Sequence, residues 1–165
     1  MKITSGGQSG VDRAALDTAI ACGIDYGGWC PRGGWAEDFP QPPGLLAKYP
    51  KLVETPRADP AQRTEWNVRD AHAILIVVGE GGTAVSEGTA LAVALAQRYR
   101  HPTMTIDPND PEACARTIAW LAAQHAAFGE AFVLSIGGPR ESEAPGIYAR
   151  ALAFLHDVLP RARSG

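Results

Sequence analysis

The run AILIVVG, residues 73–79, constrains the fold more than any other stretch of the chain. It is apolar without alternation, so both of its faces must be covered, as in a central parallel strand. Parallel neighbours need a crossover connection, normally a helix. Helical segments do flank the run: RTEWNVRDAHA (63–73) before it, and 86–99 after it. Further strands are expected over 2–5, 24–29, KLVET, TMTID and AFVLSIGG, and further helices over 11–22, 111–126 and 145–159. In the first helix Val11, Ala14, Ala15, Thr18, Ala19 and Cys22 form one stripe at i, i+3, i+4 spacing, with Gly23 placed as its C-cap. Alternating strands and helices predict a single Rossmann-like α/β domain over residues 1–160. Its sheet is doubly wound and parallel, with helices on both faces, and 161–165 form a loose tail.

Two strand-to-helix turns are rich in glycine. Gly6, Gly7, Gln8, Ser9 and Gly10 follow the first strand, and Gly79, Glu80, Gly81, Gly82 and Thr83 follow the central one. Ligands of open α/β sheets bind beyond the C-terminal strand ends. If the two strands are neighbours, both turns present free N–H groups and a positive helix end to one crevice, an anion cradle. Ser9 or Thr83 would add a hydroxyl. Gly10 is followed by Val11 rather than Lys-Ser/Thr, which excludes a Walker A loop. GEGGTA does satisfy G-x-G-x-x-A, with Asp107 roughly twenty residues on, so a dinucleotide (NAD(P)) site stays open. Asp107 sits in DPND, where a turn or cap role competes.

The net charge of −3 among 165 residues gives no broad basic field for nucleic acid, so an anion must be held locally. No apolar run is long enough to span a membrane, and residues 1–5 lack the layout of a signal peptide. Cys22, Cys30 and Cys114 are odd in number and widely spaced. That argues against a disulfide framework or zinc site and fits a reducing cytoplasm. His72, His101, His125 and His156 show no metal spacing. No metal site is expected.

TSGGQSGVDRAALD, GGWCPRG, AED, RTEWNVRDAHAILIV and GGT occur in the order found in the molybdenum (molybdenum cofactor) carrier family. The chain resembles that family from Ile3 to Asp107. The family lies in a larger Rossmann-like group with the lysine-decarboxylase-like proteins and cytokinin phosphoribohydrolases. The enzymes of that group carry G-G-x-G-T-x-x-E after the central strand and an arginine on the preceding helix. Here Glu87 falls one position late after Gly82-Thr83, and Arg63 stands near the arginine's place. A one-residue slip turns a helical side chain by about 100°. The resemblance therefore implies a binding architecture more than a hydrolytic one. It implies a cytoplasmic homo-oligomer, dimer or tetramer, that binds molybdopterin or a related phosphorylated pterin or nucleotide. The alternative it implies is a nucleotide 5′-monophosphate N-glycosidase using Arg63 and Glu87.

The remaining candidates each have a plain structural alternative. Asp12 complements a helix N-terminus, whereas Arg13 is disfavoured there and calls for a ligand or carboxylate. Arg32 sits in the aromatic loop 29–50, where it could reach an anion while Trp29 or Trp35 stacks on a planar ring. Glu65 and Arg69 have the order of a surface i, i+4 pair, and Arg69 also joins Arg63 and Asn67 as a candidate contact. Cys30 is a weak candidate for molybdenum, because that cofactor brings its own dithiolene sulfurs.

Overall fold

The run of apolar residues forms a strand, Ala73–Val77, with every residue buried. Its side chains explain the missing alternation. Ala73, Leu75 and Val77 pack into one core layer with Ile3, Val11, Phe154 and Leu155. Ile74, Ile76 and Val78 pack into the opposite layer with Val68, Leu95 and Ala96. The coordinates, a computed structural model, describe residues 1–163, with side chains through Ala162.

Among these residues, strands β1 (Lys2–Thr4), β2 (Asp25–Cys30), β3 (Leu52–Glu54), β4 (Ala73–Val77), β5 (Thr103–Ile106) and β6 (Val133–Gly137) form one sheet. Its order is β3-β2-β1-β6-β4-β5, with every pairing parallel. The helices are α1 (Val11–Ala21), α2 (Leu45–Lys48), α3 (Pro60–Arg69), α4 (Glu87–Tyr99), α5 (Ala113–Phe128) and α6 (Ile147–Arg163). Helices α1, α5 and α6 pack together on one side of the sheet, and α3 packs on α4 on the other. This is the expected doubly wound α/β architecture.

Three local differences matter. Helix α3 starts at Pro60, ahead of Arg63, because Asp59 accepts a hydrogen bond from the Ala61 N–H and Pro60 occupies the first helical position. Helix α6 continues through Arg163, past the point where a tail was expected from Arg161; residues 164–165 lie outside the described residues. Most important, β1 and β4 are not neighbours. β6 lies between them, pairing Ile3 with Leu134 and Leu75 with Ile136. The loop after β6 therefore enters the crevice between the two glycine turns. It packs tightly there. A Cβ on Gly10, which has φ 77°, would stand 2.3 Å from the Pro139 carbonyl oxygen, and one on Gly138 2.1 Å from that of Val77.

Candidate functional site

Where β1, β6 and β4 end, a cavity of about 470 Å³ opens between α3 and α4. Its floor is apolar, with Val68, Ile74, Ile76 and Leu91 in the lining. Its rim is polar. The first turns of both helices reach it, through Asp59, Pro60 and Ala61 on α3 and Ser86, Glu87, Gly88 and Thr89 on α4. Asp59 caps α3, and the Ser86 hydroxyl accepts from the Thr89 N–H at 3.2 Å to cap α4. Among the described residues, no protein acceptor meets the N–H groups of Glu87 and Gly88. Two positive helix ends thus share one cavity.

Arg63, on α3, contributes a guanidinium that lies over Gly6. A Cβ on Gly6 would stand 2.0 Å from Nη1, so only glycine admits this packing. Nη1 donates to Asp12 Oδ2 at 2.9 Å, and both side chains are nearly buried. Arg63 Nε is buried and has no partner among the described residues. Burial pushes the Asp12 carboxyl above the usual carboxylate range, against the pull of Arg63 and of the Gln8 N–H it accepts. The first glycine turn therefore already holds an acidic group, the protein's own Asp12. Asn67 fixes α3 to β2 by accepting from the Trp29 N–H and donating to the Trp29 carbonyl.

Gly6, Gln8, Asp12, Arg63, Asn67 and Glu87 come together on this cavity. The other sequence candidates stand off its wall. Gly7 packs against Leu45, Leu52 and Leu16, and its carbonyl accepts from Arg13 Nε and Nη2. Arg13 has found the carboxylate its position called for, in a two-pronged bond to Asp38 at 2.9 Å. Ser9 bonds to Glu37 and accepts from the Glu141 N–H, and Gly10 is pressed against the β6 loop. Arg69 pairs with Asp70 and covers Trp66, while Glu65 accepts instead from the Tyr99 hydroxyl. Gly81, Gly82 and Thr83 belong to a short 3-10 turn ahead of α4, where positive φ at both glycines serves the turn. Arg32 and Trp35 line a second cavity, whereas Trp29 donates to Asp70 and meets Trp66 edge-on. Asp107 accepts from the Asn109 N–H, the turn role.

Sequence reasoning missed Arg140, which lines the cavity from the β6 loop. The signal was the third glycine turn, GGPRE, which follows a strand as the other two do. It also passed over Ser86 and Gly88, although a serine directly ahead of a helical pattern marks an N-cap.

The parallel sheet, the crossover helices and a cavity at the strand ends define a Rossmann-like α/β domain with a candidate binding site. Residues 3–159 match the family model described as the circularly permutated YpsA SLOG family, and the chain belongs to that family. It is similar to a protein of known crystal structure from Syntrophus aciditrophicus SB, named a putative molybdenum carrier protein. The two are 37% identical, with a TM-score of 0.80 over 96% of this chain and 94% of that one. Among curated proteins, none matches. Among the described residues, no helix is long and apolar enough to cross a membrane.

Proposed function

We propose that the chain binds a phosphorylated pterin or nucleotide in the cavity between α3 and α4, and carries it, with the molybdenum cofactor as the cargo. The observation that supports this most is the convergence of two helix N-termini with Arg63 and Arg140 on one cavity. Phosphate is stabilised by such N–H groups and by guanidinium forks. Three of the four lining carboxylates are engaged by protein donors: Asp12 by Arg63, Asp59 by the Ala61 N–H and Glu143 by the Arg140 N–H. Glu87 is left to accept from a ligand hydroxyl or ring N–H.

The donor set suits a pterin cofactor that keeps its own metal ligands. Arg140 and the α4 N–H groups would hold the phosphate, and when bound the cofactor supplies dithiolene sulfurs to the metal. No group of His, Cys, Asp and Glu among the described residues could hold a bare ion. Burial pushes the Cys30 thiol up to about 11, so it offers no thiolate. The name of the Syntrophus protein, a putative molybdenum carrier protein, supports a molybdenum-related cargo.

One observation favours the hydrolytic alternative: Arg63 and Glu87 line the same cavity. Arg63 is committed to Asp12, however, and Glu87 is exposed, which supports binding over C–N bond cleavage. The carrier reading includes a cytoplasmic dimer or tetramer, which light scattering on the purified protein checks. Mass spectrometry and metal analysis of protein purified without added ligand test the cargo. A retained pterin or molybdenum is expected. Steady release of free base from a purine monophosphate would replace the carrier with the glycosidase.

A further inference from the structure

A second cavity, of about 420 Å³, adjoins the first. Its walls include Arg32, Trp35, Pro40, Pro42, Ala58 and Pro60. Pro60, the first residue of α3, lines both cavities. A second link is electrostatic. The guanidinium carbon of Arg140, which lines the first cavity, stands 5.8 Å from the centroid of the Trp35 ring in the second. One residue is thus shared, and a cation–aromatic contact joins the phosphate-binding rim to the only aromatic side chain of the second wall.

The wall is built rather than loose. The Gly33 N–H donates to Glu54 Oε2 at 2.8 Å, and the Arg32 N–H to the Arg57 carbonyl at 3.1 Å. Gly34 and Gly44 sit backbone to backbone, where a Cβ on Gly44 would stand 2.2 Å from the Gly34 oxygen. Rings of proline and tryptophan with little polar surface between them match the face of a flat heterocycle. The guanidinium of Arg32, in the same wall, matches such a ring's electron-rich carbonyl edge. A binding surface fixed in advance keeps the ordering cost low.

We infer that Trp35 and the proline wall form the ring site of a two-part ligand: the phosphate lies at the α4 N-terminus and the planar heterocycle lies on Trp35, across Pro60. The inference rests on the phosphate reading above and adds to it where the ring sits. It makes the natural ligand a ring joined to its phosphate by a linker long enough to pass Pro60, as in pterin or purine monophosphates.

The test uses two probes and three proteins. Guanosine 5′-monophosphate carries the fused aminopyrimidinone ring of a pterin, and ribose 5-phosphate carries the phosphate without the ring. Calorimetric titration of the wild type should show the nucleotide binding at least ten-fold tighter. Trp35→Leu should lose about ten-fold for the nucleotide, the scale of one base–aromatic stack, and nothing for ribose 5-phosphate. Trp35→Phe should recover most of the loss. Thermal unfolding of each variant checks that the loop is intact. If ribose 5-phosphate binds and Trp35→Leu leaves nucleotide affinity unchanged, the ring sits elsewhere, on the Ile74–Ile76 floor, and the inference falls alone. If Trp35→Leu weakens both probes equally, Trp35 shapes the phosphate site only, and the inference also falls. If neither probe binds the wild type, the phosphate reading fails and takes the ring site with it.

Discussion

Removing Arg63 should destabilise the fold far more than a surface arginine would. Its guanidinium is the close partner of Asp12, at 2.9 Å, and the two side chains are 13% and 6% exposed. Breaking a buried pair from one side leaves the other charge uncompensated, at about 3–5 kcal/mol. For a domain of this length, each kcal/mol moves the midpoint by about 2–4 °C, so Arg63→Gln should unfold roughly 6–20 °C earlier. The sign of the pH dependence follows from burial, which already raises the Asp12 carboxyl. A raised carboxyl contributes most when protonated, and that contribution is lost as pH rises through its folded pKa. Without Arg63 the carboxyl rises further, so the variant's deficit should be larger at pH 8 than at pH 5. Asp12→Asn added to Arg63→Gln should recover much of the loss, because it removes the stranded charge. Urea unfolding of wild type and the two variants at both pH values measures this. A deficit under 1 kcal/mol, equal at both pH values and unrelieved by the second substitution, would refute the buried-pair argument.

Three further outcomes follow from the same contacts. Gly10→Ala should cost stability at the β6 loop, since its Cβ has only 2.3 Å to the Pro139 oxygen at φ 77°; thermal unfolding no earlier than wild type would contradict that. Asp38 is partly buried, which raises its carboxyl, but the Arg13 bond and charge outweigh this and hold it below the usual range. Its contribution is therefore present near neutrality and lost as pH falls below about 4, so Asp38→Asn should lose less stability than wild type between pH 7 and pH 3.5 in urea titrations. Ser86→Ala removes the α4 cap bond from the Thr89 N–H and should cost about 1 kcal/mol by denaturant unfolding, with weakened phosphate binding.

Much of this was legible in the chain. Residues 73–77 declared themselves a central strand because both core layers draw on them alternately. Arg63 and Asp12 were legible as candidates because an arginine and an acid near turn-to-helix junctions are informative locally. Their pairing was not, since it spans 51 positions and depends on Gly6 admitting the guanidinium. The insertion of β6 between β1 and β4 was not legible either. Strand order is set by long-range contacts such as Lys2 N–H to the Phe132 carbonyl, which no local pattern encodes. That one fact explains why Arg140 was missed and why the two glycine turns do not face each other directly. In sequence, the glycines of the first turn read as a cradle for an outside anion. The Asp12 carboxyl occupies it, paired with Arg63, and the N–H groups left open are those of Glu87 and Gly88 on α4.

The central claim is that the α4 N-terminus receives a ligand phosphate, and Gly88 allows a direct test. A Cβ there meets nothing closer than Ser86 Oγ at 3.9 Å, so Gly88→Asp should fold at least as well as wild type, with its carboxylate at a positive helix end. It should also repel phosphate from the cavity that Gly88 lines. The measurement is thermal unfolding of wild type and Gly88→Asp with guanosine 5′-monophosphate or guanosine. The nucleotide should raise the midpoint of the wild type alone, and guanosine should raise neither. An equal shift from guanosine, or an undiminished nucleotide shift in Gly88→Asp, would contradict the claim.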